Sequence, residues 1–248
     1  MLTTGLVLGA VVMGAGMQRI TGMGFALVAA PFLVLLLGPV EGVVLVNLCG
    51  AVTAGAIIFR VVRDVDWKRY LLLAASALLG IIPAALLIRF IPAAVLEISI
   101  GVLLAAGLTV LLVLKSAVLP ARRRYLLTAG GLSGFMNTAA GVGGPAVSMY
   151  SIATRWHHKS FAATMQPYFF TIGAFSLLSK AITAPATFPV MPPAMWVSVA
   201  AACLAGLVLG DVASKFVPAR AAQVLLVILA YLGAAATIIR GVLDAVAP

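Results

Sequence analysis

The sequence predicts an all-α polytopic membrane protein of two inverted repeats, each with a broken or re-entrant first segment followed by three transmembrane helices. Three observations predict it. Hydrophobic residues fill 64% of the 248 positions and charged residues 9%, and the mean hydropathy of +1.21 exceeds what a water-soluble core of this size requires. Apolar runs of about 20 residues, enough to cross a bilayer, recur along the whole chain, whereas a signal peptide would be one short run before a polar chain. The first half also matches the second at nearly constant shifts, as duplicated membrane proteins do.

Polar residues divide the chain into eight apolar blocks. The first, about 4 to 38, is longer than one crossing needs and holds "QRITGMGF" at its centre. Block two, 40 to 62, carries a lone amide, Asn47. Blocks three and four, 70 to 90 and 93 to 114, are joined by "RFIPA". A basic linker, "KSAVLPARRR", then separates a first membrane repeat, 1–115, from a second, 125–248, so that 116–124 forms a cytoplasmic connection. Block five, 126 to 153, holds three glycines and a proline within "GVGGP". Block six, 160 to 183, carries Gln166 and is followed by the uncharged loop "APATFPVMPP". Blocks seven and eight, 194 to 217 and 219 to 240, meet at "KFVPA". A shift of 119 sets Gln18 on Asn137, Gly22 on Gly141, Gly24 on Gly143 and Asn47 on Gln166. A shift of 126 sets Arg89, Phe90 and Pro92 on Lys215, Phe216 and Pro218.

Loop charge separates eight plain crossings from six crossings with two segments that dip in and return. With the linker inside, the inverted arrangement puts twelve basic residues inside (60, 63, 68, 69, 115, 122, 123, 124, 155, 159, 215 and 220) and three outside (89, 180 and 240). Plain crossings give ten against five. Cytoplasmic loops carry the excess of Lys and Arg, so inversion is favoured. Whether each dipping segment is a re-entrant loop or a helical hairpin stays open at this level.

A helix interrupted at membrane depth survives only where protein or a water-filled cavity satisfies the freed backbone groups. The breaks must therefore face inward. Glycines there allow unusual backbone angles, and Pro145 favours the start of a new helix. A half-helix beginning near Gly144 would point its N-terminal amides at the cavity and attract an anion without a charged side chain. The other reading of Gly22, Gly24, Gly141, Gly143 and Gly144 is close helix packing; their recurrence in both halves favours a binding site. Gln18, Arg19 and Thr21 flank the first break, Asn137 and Thr138 the second, and Asn47 and Gln166 add amides that can donate to an oxyanion. Arg19 is either an anion contact or a group that snorkels or caps the broken helix. Asp211 lies one helical turn before Lys215, which predicts an ion pair rather than proton coupling. Lys180 is expected to snorkel outward. His157 and His158 fall in a basic loop, solvated rather than metal-binding. Cys49 and Cys203 lie far apart in apolar runs, so neither a disulfide nor a metal pair is expected.

The net charge of +10 is spread over short loops, which reports membrane topology and not a nucleic-acid partner. No nucleophile with a base and no carboxylate cluster is visible, so no enzyme, cofactor or metal is expected. The closest enzymatic alternative is a membrane-embedded lipid diphosphate phosphatase with a similar inverted layout, for which the only glutamates, Glu41 and Glu97, stand at block edges.

"QRITGMGFALVAAPFLVLLLGP", "NTAAGVGGPAVSMY" and the paired "RFIPA" and "KFVPA" turns resemble the sulfite exporter TauE/SafE family of bacterial membrane proteins. The likeness runs over essentially the whole chain. It implies a secondary transporter of the bacterial cytoplasmic membrane that moves small sulfur-containing or organic anions, such as sulfite, thiosulfate or sulfoacetate, by alternating access. The expected partners are a small anionic substrate and the lipid bilayer, with a homo-oligomer left open. The chain departs from the glycine-rich family pattern at Phe25 and Ala26.

Overall fold

The computed structural model describes residues 2–22, 24–113, 120–185 and 188–246. Residues 114 to 119, which include the first four positions of the expected linker, lie outside the described residues. Ten α-helices form among the described ones: α1 Leu2–Thr21, α2 Gly24–Leu37, α3 Pro39–Val61, α4 Trp67–Leu87, α5 Ala93–Val113, α6 Arg123–Ala140, α7 Gly144–Ala153, α8 His158–Thr183, α9 Pro193–Ala213 and α10 Ala219–Val246. Each predicted block is a helix, except that blocks one and five are each two. Among the described residues six segments are long and apolar enough to cross a membrane, and they are built on α3, α4, α5, α8, α9 and α10. The protein is a multi-pass helical membrane protein.

The chain doubles back at both breaks. A Cβ on Gly14 would touch Ala29 and the Phe25 ring, so α2 returns along α1. In the second half the Ser133 hydroxyl donates to the Gly143 carbonyl at 2.8 Å, although ten residues of continuous helix would hold these positions about 15 Å apart. The turns share one device. Gly22 has φ +85° and Gly141 φ +73°, the left-handed region open to glycine. The Gly22 N–H donates to Gln18 O and the Gly141 N–H to Asn137 O, both at 2.8 Å, so the broken segments are helical hairpins with matching tips.

Glycines then let the hairpins approach their neighbours. Gly80 of α4 lies against α6, where an added Cβ would fall 1.9 Å from Gly131 O. Gly206 of α9, 126 residues later, lies against α1, where an added Cβ would fall 2.5 Å from Val12 O and 2.7 Å from the Ala15 Cβ. Gly107 of α5 meets Pro145 of α7, and Gly233 of α10, again 126 later, meets Pro31 of α2. Each hairpin therefore packs on the second membrane-spanning helix of the other half, α1–α2 with α9 and α6–α7 with α4. The core divides accordingly. One apolar cluster joins α1, α2, α9 and α10 with parts of α3 and α5, and another joins α4, α6, α7 and α8.

Basic loops gather at one end. Lys159 at the start of α8 pairs with Asp64 after α3 at 2.9 Å, the Asp66 N–H donates to the Thr164 hydroxyl at 2.9 Å, and Arg69 sits 4.4 Å over the Trp156 ring. Asp211, at the end of α9, pairs with Arg60 at 2.9 Å. The α3–α4, α7–α8 and α9–α10 connections are thus neighbours. At the other end Arg240 donates to Leu35 O and faces Glu97 at 3.7 Å.

Candidate functional site

Both hairpin tips and the middles of α3 and α8 meet around a buried cavity of about 40 Å³. Of the residues singled out in the sequence, Gln18, Asn47, Asn137, Gly141, Gly143, Gly144 and Phe25 line it, together with Gly50, Gly173 and Phe169, which the sequence reading did not single out. The helices α2 and α7 start here, and Pro145 occupies the first turn of α7. The first N–H groups of a helix have no partner within it, so both starts offer donors and the positive end of a helix dipole. Among the described residues no charged side chain lines the cavity.

The amide side chains tie each tip to the opposite half. Asn137 Nδ2 donates to Asn47 Oδ1 at 2.6 Å and to the Ser176 hydroxyl at 3.2 Å. Asn47 Nδ2 donates to Val43 O and to Asn137 O. Gln18 Nε2 donates to Gln166 Oε1 at 3.4 Å, while the Thr53 hydroxyl donates to Gln18 Oε1 at 2.7 Å. Gln166 Nε2 donates to Gly22 O at 3.1 Å. Gln18 and Asn137 are repeat mates, as are Asn47 and Gln166, so the Gln18–Gln166 and Asn137–Asn47 contacts exchange when the halves are exchanged.

Gln18 also lines a second cavity of about 300 Å³, with Arg19, Gly22, His158, Lys159 and Gln166, which opens toward the basic end. The Gln18–Gln166 contact is the partition between this vestibule and the central cavity.

Several expected side chains stand elsewhere. Arg19 leaves the cavity and pairs with Asp211, because α9 lies along α1 and brings the acid to it. Asp211 thus binds Arg19 and Arg60, in place of the expected pair with Lys215. The Thr21 hydroxyl donates to Met17 O in its own helix, and Thr138 is buried against Ser176 at 2.7 Å behind the cavity wall. Gly24 opens α2. Lys180 does not snorkel: it is 3% exposed. Cys49 and Cys203, far apart in sequence, fall in one buried apolar cluster where α3 and α9 pack together. Such partners on distant helices leave no local sequence signal.

Phe25 and Phe169 complete the walls. A Cβ on Gly50 would lie 3.8 Å from the Phe25 ring, and one on Gly144 would lie 3.8 Å from the Phe169 ring. The 119 shift places Phe25 on Gly144 and Gly50 on Phe169. Each half therefore has one ring facing one glycine, with the order reversed.

The sequence matches the family described as Sulfite exporter TauE/SafE over residues 6–237. None of the curated proteins compared matches, nor does any solved structure. With nearly its whole length matched, the chain belongs to the TauE/SafE family. It is a membrane transport protein and not an enzyme, and the phosphatase alternative is not favoured.

Proposed function

We propose that the protein is a secondary transporter that carries a small sulfur oxyanion, such as sulfite or thiosulfate, through the cavity between the two hairpin tips, in the bacterial cytoplasmic membrane. The observation that carries this reading is the convergence of two helix starts and three amide side chains, those of Gln18, Asn47 and Asn137, on a buried space with no charged residue among its described lining. Backbone dipoles and amides recognise an anion there without a fixed cation that would hold it too tightly to release. A cavity of about 40 Å³ has room for only a few water-sized groups, which favours inorganic anions over sulfoacetate in this conformation.

The neighbouring α3–α4, α7–α8 and α9–α10 connections support the inverted arrangement of repeats 1–115 and 125–248, since eight plain crossings would put the first of these on the other side of the membrane from the other two. The cavity amides are bonded across the halves, so an anion recruits Gln18 or Asn137 only by weakening a tie to Gln166 or Asn47. Such bonds in membranes are worth about 0.6 kcal/mol each, little enough for a ligand to exchange. Binding thus loosens the partition it sits against, which is what alternating access needs.

Reconstituted protein should exchange labelled sulfite or thiosulfate in counterflow. Asn137→Ala and Gln166→Ala should each abolish exchange while leaving folded protein; normal rates in both variants would move the site elsewhere.

A further inference from the structure

We propose that the pocket around Lys180 is a second oxyanion site, at the end of the molecule opposite Lys159. Lys180 lines a cavity of about 490 Å³ with Arg89, Thr183, Val40 and Ile91. It is 3% exposed, and its ammonium has no hydrogen-bond or ion-pair partner among the described residues. Arg89 forms no ion pair among them either. Glu97, the buried carboxylate of α5, does not line this cavity and faces Arg240 at 3.7 Å. A buried ammonium without a counterion is among the least favourable groups a membrane protein can hold, and a bound anion removes that penalty.

The repeat explains why the charge is uncompensated here and not at the other end. The 119 shift places Lys180 on Val61, Thr183 on Asp64 and Lys159 on Val40, so this pocket and the basic-end vestibule are equivalent places in the two halves. In the vestibule Lys159 is neutralised by Asp64 at 2.9 Å. In the Lys180 pocket the acid's position is taken by Thr183, a neutral hydroxyl residue, and the lysine is left to a ligand.

Helix α8 links the two places. Lys159, Gln166, Gly173 and Lys180 recur every seven residues, which keeps them near one face of a helix. Lys159 and Gln166 line the vestibule, Gly173 the central cavity and Lys180 the far pocket. Twenty-one residues of helix span about 31 Å, close to the hydrocarbon thickness of about 30 Å. The far pocket therefore stands at the outer end of the same face; its place on a transport path rests on the proposed function, while the binding itself does not. An oxyanion is the shared chemistry of two sources, a dissolved sulfur oxyanion and the phosphate of an outer-leaflet lipid.

Equilibrium dialysis of full-length protein in phosphatidylcholine nanodiscs against labelled sulfite tests this. Wild type should hold two anions per chain and Lys180→Met one, with Lys180→Gln as the alternative if the methionine variant does not fold. Lys180→Arg and Lys159→Met should keep both. Asn137→Ala should lose the central anion and keep the one at Lys180. If a lipid phosphate fills the pocket instead, wild type and Lys180→Met will bind sulfite equally, and mass spectrometry of detergent-purified wild type will show retained phosphatidylglycerol that the variant lacks. Unchanged sulfite stoichiometry without Lys180-dependent lipid overturns the second site and leaves the transport reading intact. Absence of all sulfite binding, together with absence of counterflow, defeats the transport reading, while Lys180-dependent lipid would still support this pocket.

Discussion

At the first hairpin tip a phenylalanine stands where the second has a glycine, and the departure is compensated within its own half. Phe25 lies over Gly50 as Phe169 lies over Gly144: a Cβ on either glycine would already be in ordinary contact with the ring at 3.8 Å, which leaves room for a methyl group but not for a second aromatic ring. Gly50→Phe alone should press two rings into a cavity of about 40 Å³ and abolish anion counterflow. Adding Phe25→Gly copies the second half's arrangement into the first and should restore it; failure of the double variant to recover beyond the single one would show that the exchange is not compensatory. The cavity amides were legible in the sequence because they recur at a shift of 119 in otherwise apolar surroundings. The compensation was not, since Gly50 and Phe169 look like ordinary membrane-helix residues until α3 and α8 are packed around the tips. Arg19 was misplaced for a similar reason: its partner lies 192 residues away.

The break itself was legible at the scale of elements, because glycine and proline at membrane depth demand a structural reason, and the structure resolves the open choice as a hairpin. The helix neighbours were not, since close packing is encoded by single glycines that resemble any other glycine in a membrane helix. Their weight can be measured. A side chain at Gly80 or Gly206 meets backbone atoms that cannot rotate away, and overpacking of this kind costs about 1–3 kcal/mol or more. Gly80→Leu and Gly206→Leu should therefore lower the thermal midpoint in detergent or abolish folded protein. Gly9→Ala in α1 has nothing within 4 Å and should leave the midpoint unchanged. Gly141→Ala combines a positive φ with a Cβ 2.9 Å from Val46, so it should destabilise by about 1–2 kcal/mol from the backbone alone.

For the whole molecule, the packing argues against a motion in which one sequence repeat rocks rigidly on the other. Each hairpin is locked by glycine contacts to the second membrane-spanning helix of the opposite half, and Arg19–Asp211 adds an ion pair to the α1–α9 contact. Close backbone contacts of this kind shift between discrete arrangements rather than slide. The central ties differ in kind, being a few amide hydrogen bonds around a cavity. On the proposed alternating-access function, the units expected to move are α1–α2 with α9 and α6–α7 with α4, each drawn from both repeats. Spin labels on outward-facing positions separate the two motions in a background lacking Cys49 and Cys203. Leu6 of α1 and Leu209 of α9 belong to different repeats but to one exchanged unit, and their distance should stay constant when sulfite is added. Leu6 and Leu79 of α4 belong to one repeat but to different units, and their distance should change. All of these positions are exposed on the helix surface, so labels there leave the glycine contacts intact. A constant Leu6–Leu79 distance with a changing Leu6–Leu209 distance would restore the repeats as the moving bodies, and would require the contacts at Gly206 to break in every transport cycle.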